Sequence, residues 1–343
     1  MSDNTPRKVL LAHGGGGRMM GQFIRKTVLP RVGNEMLNRL TDAATLELGP
    51  GSICFTTDSF VVQPLVFPGG DIGKLAVCGT VNDLAVSGAR PVALSLALIL
   101  EEGFSLDTLE EILASAAATA RQAGVAIVTG DTKVVEEGAA DGLFINTAGI
   151  GVRHEGVRLG FEHIRPGDKL IINGTIGDHG MTILSRRKGI RFETPLVSDC
   201  ASLAGLTGRI LDAVPGGVRF MRDPTRGGLA AVLNEIVAAA GCDIEILESS
   251  LPVNATVQAA ADMLGFDVLN IANEGKVLIV AAAEAAEQVL QACRQDVLGR
   301  EAAVIGEVRE ATGGGEGVVE LVTKIGGRRV VQMPYGRELP RIC

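Results

Sequence analysis

The chain has 343 residues, 46% of them hydrophobic, with 45 glycines, 3% aromatic residues and a net charge of −8. That composition fits a soluble two-domain α/β-type protein and excludes disordered and fibrous classes. The acidic balance leaves no basic stripe for a nucleic-acid backbone. No run approaches the roughly eighteen apolar residues that span a bilayer, and no signal-peptide core follows the polar residues 1–6, so a cytoplasmic protein with no membrane or nucleic-acid partner is expected.

In chain order, residues 8–12 predict a strand, the glycine run 13–17 a turn, and 18–29 a helix that stops at Pro30. Glycines between a strand and a helix can cradle phosphate through backbone N–H groups, but neither the Walker ending nor the dinucleotide spacing is present, and a flexible turn competes. Residues 52–60 predict a strand with Asp58 at its far end. The glycine-rich link 67–73 leads into a helix over 72–88 that carries Asn82 and Asp83 in apolar company. Asn and Asp are mediocre helix formers, and a buried carboxylate is costly unless paired or bound to a cation. Cation binding is one reading of Asp83; a salt bridge to Arg90 is the other. The apolar run 91–100 predicts a central strand buried on both faces. Residues 105–123 predict an alanine-rich helix capped by Ser105 and ended by Gly124. A strand over 125–130 then delivers Asp131, Thr132 and Lys133 to its carboxyl end, and 143–152 predicts another strand.

Asp58, Asp83 and Asp131 thus fall at ends of elements around one sheet, with Lys133 beside them. Hard carboxylate oxygens without histidine or thiolate suit Mg²⁺, and Mg²⁺ suits a nucleotide phosphate. A lysine there would offset charge on a transferring phosphoryl group. An ATP–Mg²⁺ site is the reading.

A boundary is expected between 153 and 166, dividing the chain into an amino-terminal ATP-binding and dimerisation domain (1–155), a carboxy-terminal α/β domain (165–332) and a tail (333–343). The second half predicts a strand over 169–173, a turn over 174–180 containing His179, and a helix to about 188. His179 is read first as backbone support and second as a catalytic group. Residues 199–214 predict a helix, and 221–228 lead into another that runs through 240. In that lead, Arg222, Thr225, Arg226, Gly227 and Gly228 form an anion cradle at a helix start. Loop 271–276 precedes a strand over 277–281 and offers Glu274 as a general base, with a surface turn as the alternative. Strands over 301–310 and 318–331 complete the fold. Six cysteines (54, 78, 200, 242, 293 and 343) include no Cys-x-x-Cys pair, and Cys54, Cys78 and Cys242 read as small core residues. The tail contains Pro334, Gly336, Arg337, Pro340 and Arg341, which oppose regular structure. If extended, it could carry the thiol of Cys343 about 35 Å.

Together these segments resemble the hydrogenase maturation factor HypE family of carbamoyl dehydratases, within the superfamily of aminoimidazole ribonucleotide synthetase and selenophosphate synthetase. The resemblance is carried by residues 13–17, 55–60, 67–73, 79–84, 129–135, 177–180, 222–228, 273–276 and the closing Pro340-Arg341-Ile342-Cys343. The internal motifs mark the superfamily; the terminal tetrapeptide points to the HypE branch. What it implies is a two-domain α/β (α+β) synthetase fold whose amino-terminal sheets pair into a barrel in a homodimer. It further implies that a carbamoyltransferase, HypF, loads a carbamoyl group onto the sulfur of Cys343. The chain then dehydrates that S-carboxamide to an S-cyanide with ATP and Mg²⁺. The cyanide passes to iron held by a HypC–HypD complex, toward the [NiFe] hydrogenase centre.

The implied catalytic set is Cys343, Glu274, Lys133 and His179. The implied ATP set is Asp58, Asp71, Asn82, Asp83, Asp131, Lys133, Arg222, Thr225, Arg226, Gly227 and Gly228, with Asp58, Asp83 and Asp131 on Mg²⁺. The chemistry is coherent: an amide oxygen leaves poorly until it is phosphorylated, and a base must then take the nitrogen protons, Glu274 before His179. Two other readings stand beside it. One is a kinase or synthetase acting on a free small molecule; the other is a non-catalytic scaffold that holds iron through the Cys343 thiolate.

Overall fold

The computed structural model describes residues 17–32, 37–48, 51–190, 192–311, 317–336 and 341–343. The predicted strand over 8–12, glycines 14–16 and tail residues 337–340 lie outside them. The described residues open with α1 (Gly17–Phe23), a π-helical turn over Ile24–Val28, and α2 (Leu29–Val32).

Two sheets follow, one in each half of the chain. The first has the order β1-β2-β7-β5-β6, from β1 (Ala44–Leu48), β2 (Gly51–Phe60), β5 (Ala89–Glu101), β6 (Ala126–Val135) and β7 (Leu143–Arg153). Its pairings are antiparallel except β5 with β6, which are parallel and joined by a helical crossover. A small hairpin, β3 (Val66–Phe67) and β4 (Gly70–Asp71), introduces α3 (Ile72–Val86), and α4 (Leu106–Gln122) is the crossover. Asp71 starts α3 by accepting from the N–H groups of Gly73 (2.8 Å) and Lys74 (3.0 Å). Helix α3 is apolar nearly all round because it is buried nearly all round, between the sheet and the second domain.

The run 91–100 does not have two buried faces. In β5 burial alternates, and Val92 and Ile99 are each 44% exposed on a face shared with Phe55, Ile150 and Val152. The helices cover one side of this sheet, so the other is left open and apolar. Nor does the strand after α4 end at 130: it runs on to Val135, which puts Asp131 and Lys133 inside an exposed edge strand.

The second sheet has the order β14-β13-β10-β12-β8-β11-β9. Its strands are β8 (Lys169–Ile172), β9 (Val218–Arg222), β10 (Asp243–Leu247), β11 (Leu278–Ala281), β12 (Ala303–Arg309), β13 (Val319–Val322) and β14 (Arg328–Val330). Its helices are α5 (Asp178–Lys188), α6 (Ala204–Ala213), α7 (Gly228–Ala240), α8 (Ala255–Leu264) and α9 (Ala286–Arg294). The central strands are buried on both faces, so alternate residues feed two cores. Leu170, Ile172, Leu278 and Val280 enter one, and Ile171, Ile279 and Ala281 the other.

The predicted helix over 199–214 is real only from Ala204; residues 199–203 are a loop whose polar groups serve the site described below. The predicted strand over 318–331 is the hairpin β13–β14. The last three residues, predicted to belong to an extended tail, are seated between the two halves. Val61 N–H donates to the Cys343 carbonyl (3.1 Å), Gln63 N–H to that of Arg341 (3.4 Å), and Ile342 is 2% exposed. No helix among the described residues is long and apolar enough to cross a membrane.

Candidate active site

Residues alternate across β2, so Cys54, Thr56, Asp58 and Phe60 point toward α3. Glycine is required at position 79 for this approach, since a Cβ there would lie 2.8 Å from the Phe60 ring. At this junction, carboxylate oxygens of Asp42, Asp83 and Asp223 come within 4.8 Å of one another. Thr56 Oγ1 lies 2.8 Å from both an Asp83 carboxylate oxygen and the Asp42 carbonyl, its one O–H shared between them, which ties the group to β2. Arg222 pairs with Asp42 (2.9 Å) and with Glu235 (3.0 Å). Burial, followed by the charges of Asp223, Asp42 and Asp58, pushes the Asp83 carboxyl well above the usual range; Asp223 is pushed up by burial and by Asp42. Of these three hard oxygen donors only Asp42 is paired with the Arg222 guanidinium, which is itself divided with Glu235. That donor set, with its uncompensated charge, fits a divalent cation such as Mg²⁺.

Beside the acidic cluster sits the terminal thiol. Arg226, from the turn that starts α7, has its charge held most strongly by Cys343 and then by Asp58, Glu274 and Asp83. Glu274 is 3% exposed, and its Oε1 has no hydrogen-bond partner among the described residues. Burial first, then Asp223, Asp199 and Asp58, push its carboxyl well up against the opposing pull of Arg226. The Cys343 thiol is likewise pushed up, by burial and by Glu274, Asp58 and Asp223, while Arg226 pulls it down. Asp58 is raised by burial and lowered by Arg226. The turn before α7 needs its glycines for shape: Gly227 and Gly228 have φ of +82° and +59°, and a Cβ on Gly228 would meet the Leu269 carbonyl at 2.5 Å. Gly228 N–H is occupied by the Thr225 carbonyl (2.9 Å).

His179 holds the tail. Its Nε2 lies 2.7 Å from the Ile342 carbonyl, which can only accept, so Nε2 carries the proton. Nδ1 then accepts from the Ser198 hydroxyl at 2.8 Å, and the ring meets Phe67 edge-on at 5.5 Å. Burial holds the imidazole below its usual pKa. With both nitrogens engaged, His179 has none to offer as a base in this arrangement. Arg341 adds an ion pair to Asp141, an Nε–H bond to the Val61 carbonyl (3.0 Å) and a cation–π contact over Phe144 at 6.0 Å.

Several predicted ATP ligands have other occupations. Asn82 is 1% exposed, and both its ends go to backbone of the second domain. Nδ2 donates to the carbonyls of Ala201 (3.0 Å) and Glu274 (3.3 Å), and Oδ1 accepts from Leu203 N–H (2.7 Å). Asn82 therefore joins domains and leaves nothing for a nucleotide. Asp71 caps α3 through Oδ1, and Arg222 pairs with Asp42 and Glu235. Asp131 and Lys133 form an ion pair (2.7 Å) on the exposed edge strand, outside the cluster of Asp42, Asp83 and Asp223. Asp42 and Asp223 were missed. Asp223 lies inside the segment 221–228 that the sequence singles out, whereas Asp42 precedes a short strand in no motif-like setting.

Two family models cover most of the chain: AIR synthase related protein, N-terminal domain, over residues 40–153, and AIR synthase related protein, C-terminal domain, over 165–319. A carbamoyl dehydratase HypE from Bradyrhizobium diazoefficiens is 50% identical over 333 residues, spanning 97% of this chain and 95% of its own. A solved HypE–HypF complex contains a chain that superposes with a TM-score of 0.86 at 46% identity, covering 91% of this chain and 99% of that one. A HypE solved in complex with ATP gives 0.82 at 44% identity, covering 98% and 100%. With two-domain models matched across most of its length and full-length relatives at half identity, the chain belongs to the HypE family of carbamoyl dehydratases, within the AIR synthase related proteins.

Proposed function

We infer that this chain dehydrates an S-carboxamide carried on its own Cys343 to an S-cyanide at the expense of ATP, in the maturation of [NiFe] hydrogenase. The observation that carries the reading is the seating of the last residues between the two halves, with the Cys343 carbonyl held by Val61 N–H and the Ile342 carbonyl by His179, at a junction where the buried Oε1 of Glu274 has no partner among the described residues. When bound, ATP supplies the phosphoryl group that turns the amide oxygen into a leaving group, and Mg²⁺ supplies charge compensation for the triphosphate. Asp42, Asp83 and Asp223 would hold the cation, with Asp58 next to them.

Arg226 would steady negative charge developing beside the cargo, with Thr225, Gly227 and Gly228 shaping the start of α7 around it. Glu274, stripped of water, is a stronger base than a solvated carboxylate and would take one nitrogen proton as phosphate leaves and the C≡N bond forms, the other nitrogen proton passing to the phosphate oxygens. His179 and Arg341 keep the tail seated so that the carbon faces these groups, and the cleft excludes water.

HypF is the proposed source of the carbamoyl group, supported by the solved HypE–HypF complex. A HypC–HypD complex is the proposed acceptor of the cyanide. Loading and delivery require the tail to leave its seat, a reading supported by the half-buried position of Cys343 and the buried side chain of Ile342 before it. A homodimer is proposed through the open apolar face of the first sheet, with Phe55, Ile99, Ile150 and Val152 at its centre, in the barrel arrangement. Asp131 and Lys133 lie on that side of the molecule and would enter the interface, where a second copy's nucleotide gives them a use that one chain does not.

The deciding experiment is mass spectrometry of the carbamoylated chain before and after Mg-ATP. The reading expects the C-terminal peptide to lose the mass of one water, and the Cys343→Ser chain never to form the nitrile. An unchanged mass, with ATP bound, would leave only a scaffold; ATP turnover on a free small molecule after removal of the last four residues would make it a kinase or synthetase.

A further inference from the structure

We propose that Asp199 is a positioning residue for Glu274, clamping the loop from which the carboxylate projects. The proposal rests on the reading of Glu274 as the base and extends it to Asp199, a residue that no sequence motif singled out.

Asp199 begins the loop before α6, and its side chain is 4% exposed. One oxygen accepts from Glu274 N–H and the other from Gly275 N–H, both at 3.2 Å. Lys276, 11% exposed, closes the pair with Nζ 3.1 Å from the second oxygen. Burial pushes the Asp199 carboxyl up, but Lys276, His179 and the donated N–H groups together hold it below the usual range, so it is an anion in place. The main chain of Asp199 also sets the identity of its neighbour: a Cβ on Gly275 would lie 2.0 Å from the Asp199 carbonyl oxygen.

The rest of the loop is equally committed. The Glu274 carbonyl accepts from Ala201 N–H (3.4 Å) and from Asn82 Nδ2 (3.3 Å). Asn173 donates to the Gly275 carbonyl (3.2 Å) and accepts from Val277 N–H (2.8 Å). Backbone groups on both sides of Glu274 are thus fixed, while the Oε1 of its own side chain has no partner among the described residues. A buried carboxylate oxygen without a donor is costly, and it persists only when its surroundings hold it there. Asp199 supplies two of those restraints, which is why an anion is buried behind the base and not an apolar side chain.

Glu274→Gln, Asp199→Asn and the double variant, each as the full carbamoylated chain with Mg-ATP, provide the test through a rate cycle. Asp199→Asn is expected to slow dehydration about 10- to 100-fold, the scale of a small misplacement of a reacting group, with the KM for ATP within about twofold of the parent. In the Glu274→Gln background the same change is expected to alter the residual rate by less than about twofold, because a positioning residue has nothing left to position.

Equal slowing in both backgrounds overturns the clamp and leaves the base standing. A parental rate in Glu274→Gln removes the base and the proposal with it. Amide hydrogen exchange in the parent is independent of whether any variant folds: the N–H groups of Glu274 and Gly275 are expected to exchange as slowly as those of the neighbouring strand β11. Exchange at the rate of an open loop overturns the proposal.

Discussion

Ile342 anchors the tail, and truncating it tests whether the seat controls the thiol. The side chain is 2% exposed among Phe60, Val62, Phe67, Ile183, Cys200 and Ala272. Ile342→Ala deletes three carbons, worth about 0.8 kcal/mol each on burial, or about 2.4 kcal/mol in all. At about 1.4 kcal/mol per factor of ten, the ratio of seated to released tail falls roughly fifty-fold. Ile342→Val, one carbon smaller, gives roughly fourfold on the same scale. Because the seated thiol is pushed up by burial and by the carboxylates around it, alkylation proceeds through the released tail. Timed reaction with iodoacetamide, read on the C-terminal peptide by mass spectrometry, should therefore accelerate in the order parent, valine, alanine, up to the rate of an open thiol. Dehydration of the loaded chain should slow in the same order. The body of the protein keeps every side chain it had, so folding does not confuse the result. An alanine variant alkylated no faster than the parent would refute the reasoning.

Other perturbations follow from single contacts. Asn82→Asp sets a carboxylate against the carbonyls of Ala201 and Glu274, and should cost about 3 kcal/mol in urea unfolding; a loss under about 0.5 kcal/mol would deny Asn82 its joining role. Asp178 is pushed up to about 6, mainly by burial, from an ordinary value of 3.8. The folded state thus holds this proton more tightly than the unfolded one, and the resulting penalty is absent below about pH 4 and complete above about pH 6. Asp178→Asn should accordingly raise the melting temperature more at pH 8 than at pH 4.5, the opposite ordering being the contrary result. Ile150→Asp, at a site 41% exposed on the open sheet face, should convert a dimer to a monomer by sedimentation. Asp83→Asn should increase the Mg²⁺ needed for half-maximal dehydration by on the order of tenfold, and an unchanged Mg²⁺ dependence would remove Asp83 from the cation site.

What could be read from the chain before folding was the chemistry that looks out of place. Asp83 inside an apolar helix, Glu274 in a polar loop before a buried strand and a cysteine at the last position each stand out against their neighbours. Partners were harder to read. Asn82 signalled that a polar group must be satisfied, but its acceptors are carbonyls more than a hundred residues away, and spacing carries no such information. Asp42 comes to the acidic cluster from a similarly remote position through its pairing with Arg222 and the Thr56 bond to its carbonyl. The run 91–100 misled for a different reason: continuous apolarity marks a face removed from water without saying whether a helix or a second subunit removes it. Asp131 and Lys133 depend on the same distinction, since an edge strand is complete only when something lies beside it.

Asn82 acts as a rivet, and that decides which part of the molecule can travel. Its one amide reaches three backbone groups across the divide, and opening the two halves like a clamshell would strand all of them at about 1 to 3 kcal/mol each. Arg341 to Cys343, by contrast, can withdraw and let water take over each bond they leave. In the proposed reaction, cargo traffic would then be a matter of a short plunger sliding in a fixed bore, and inhibitors that fill the vacated bore would need no hinge motion to bind.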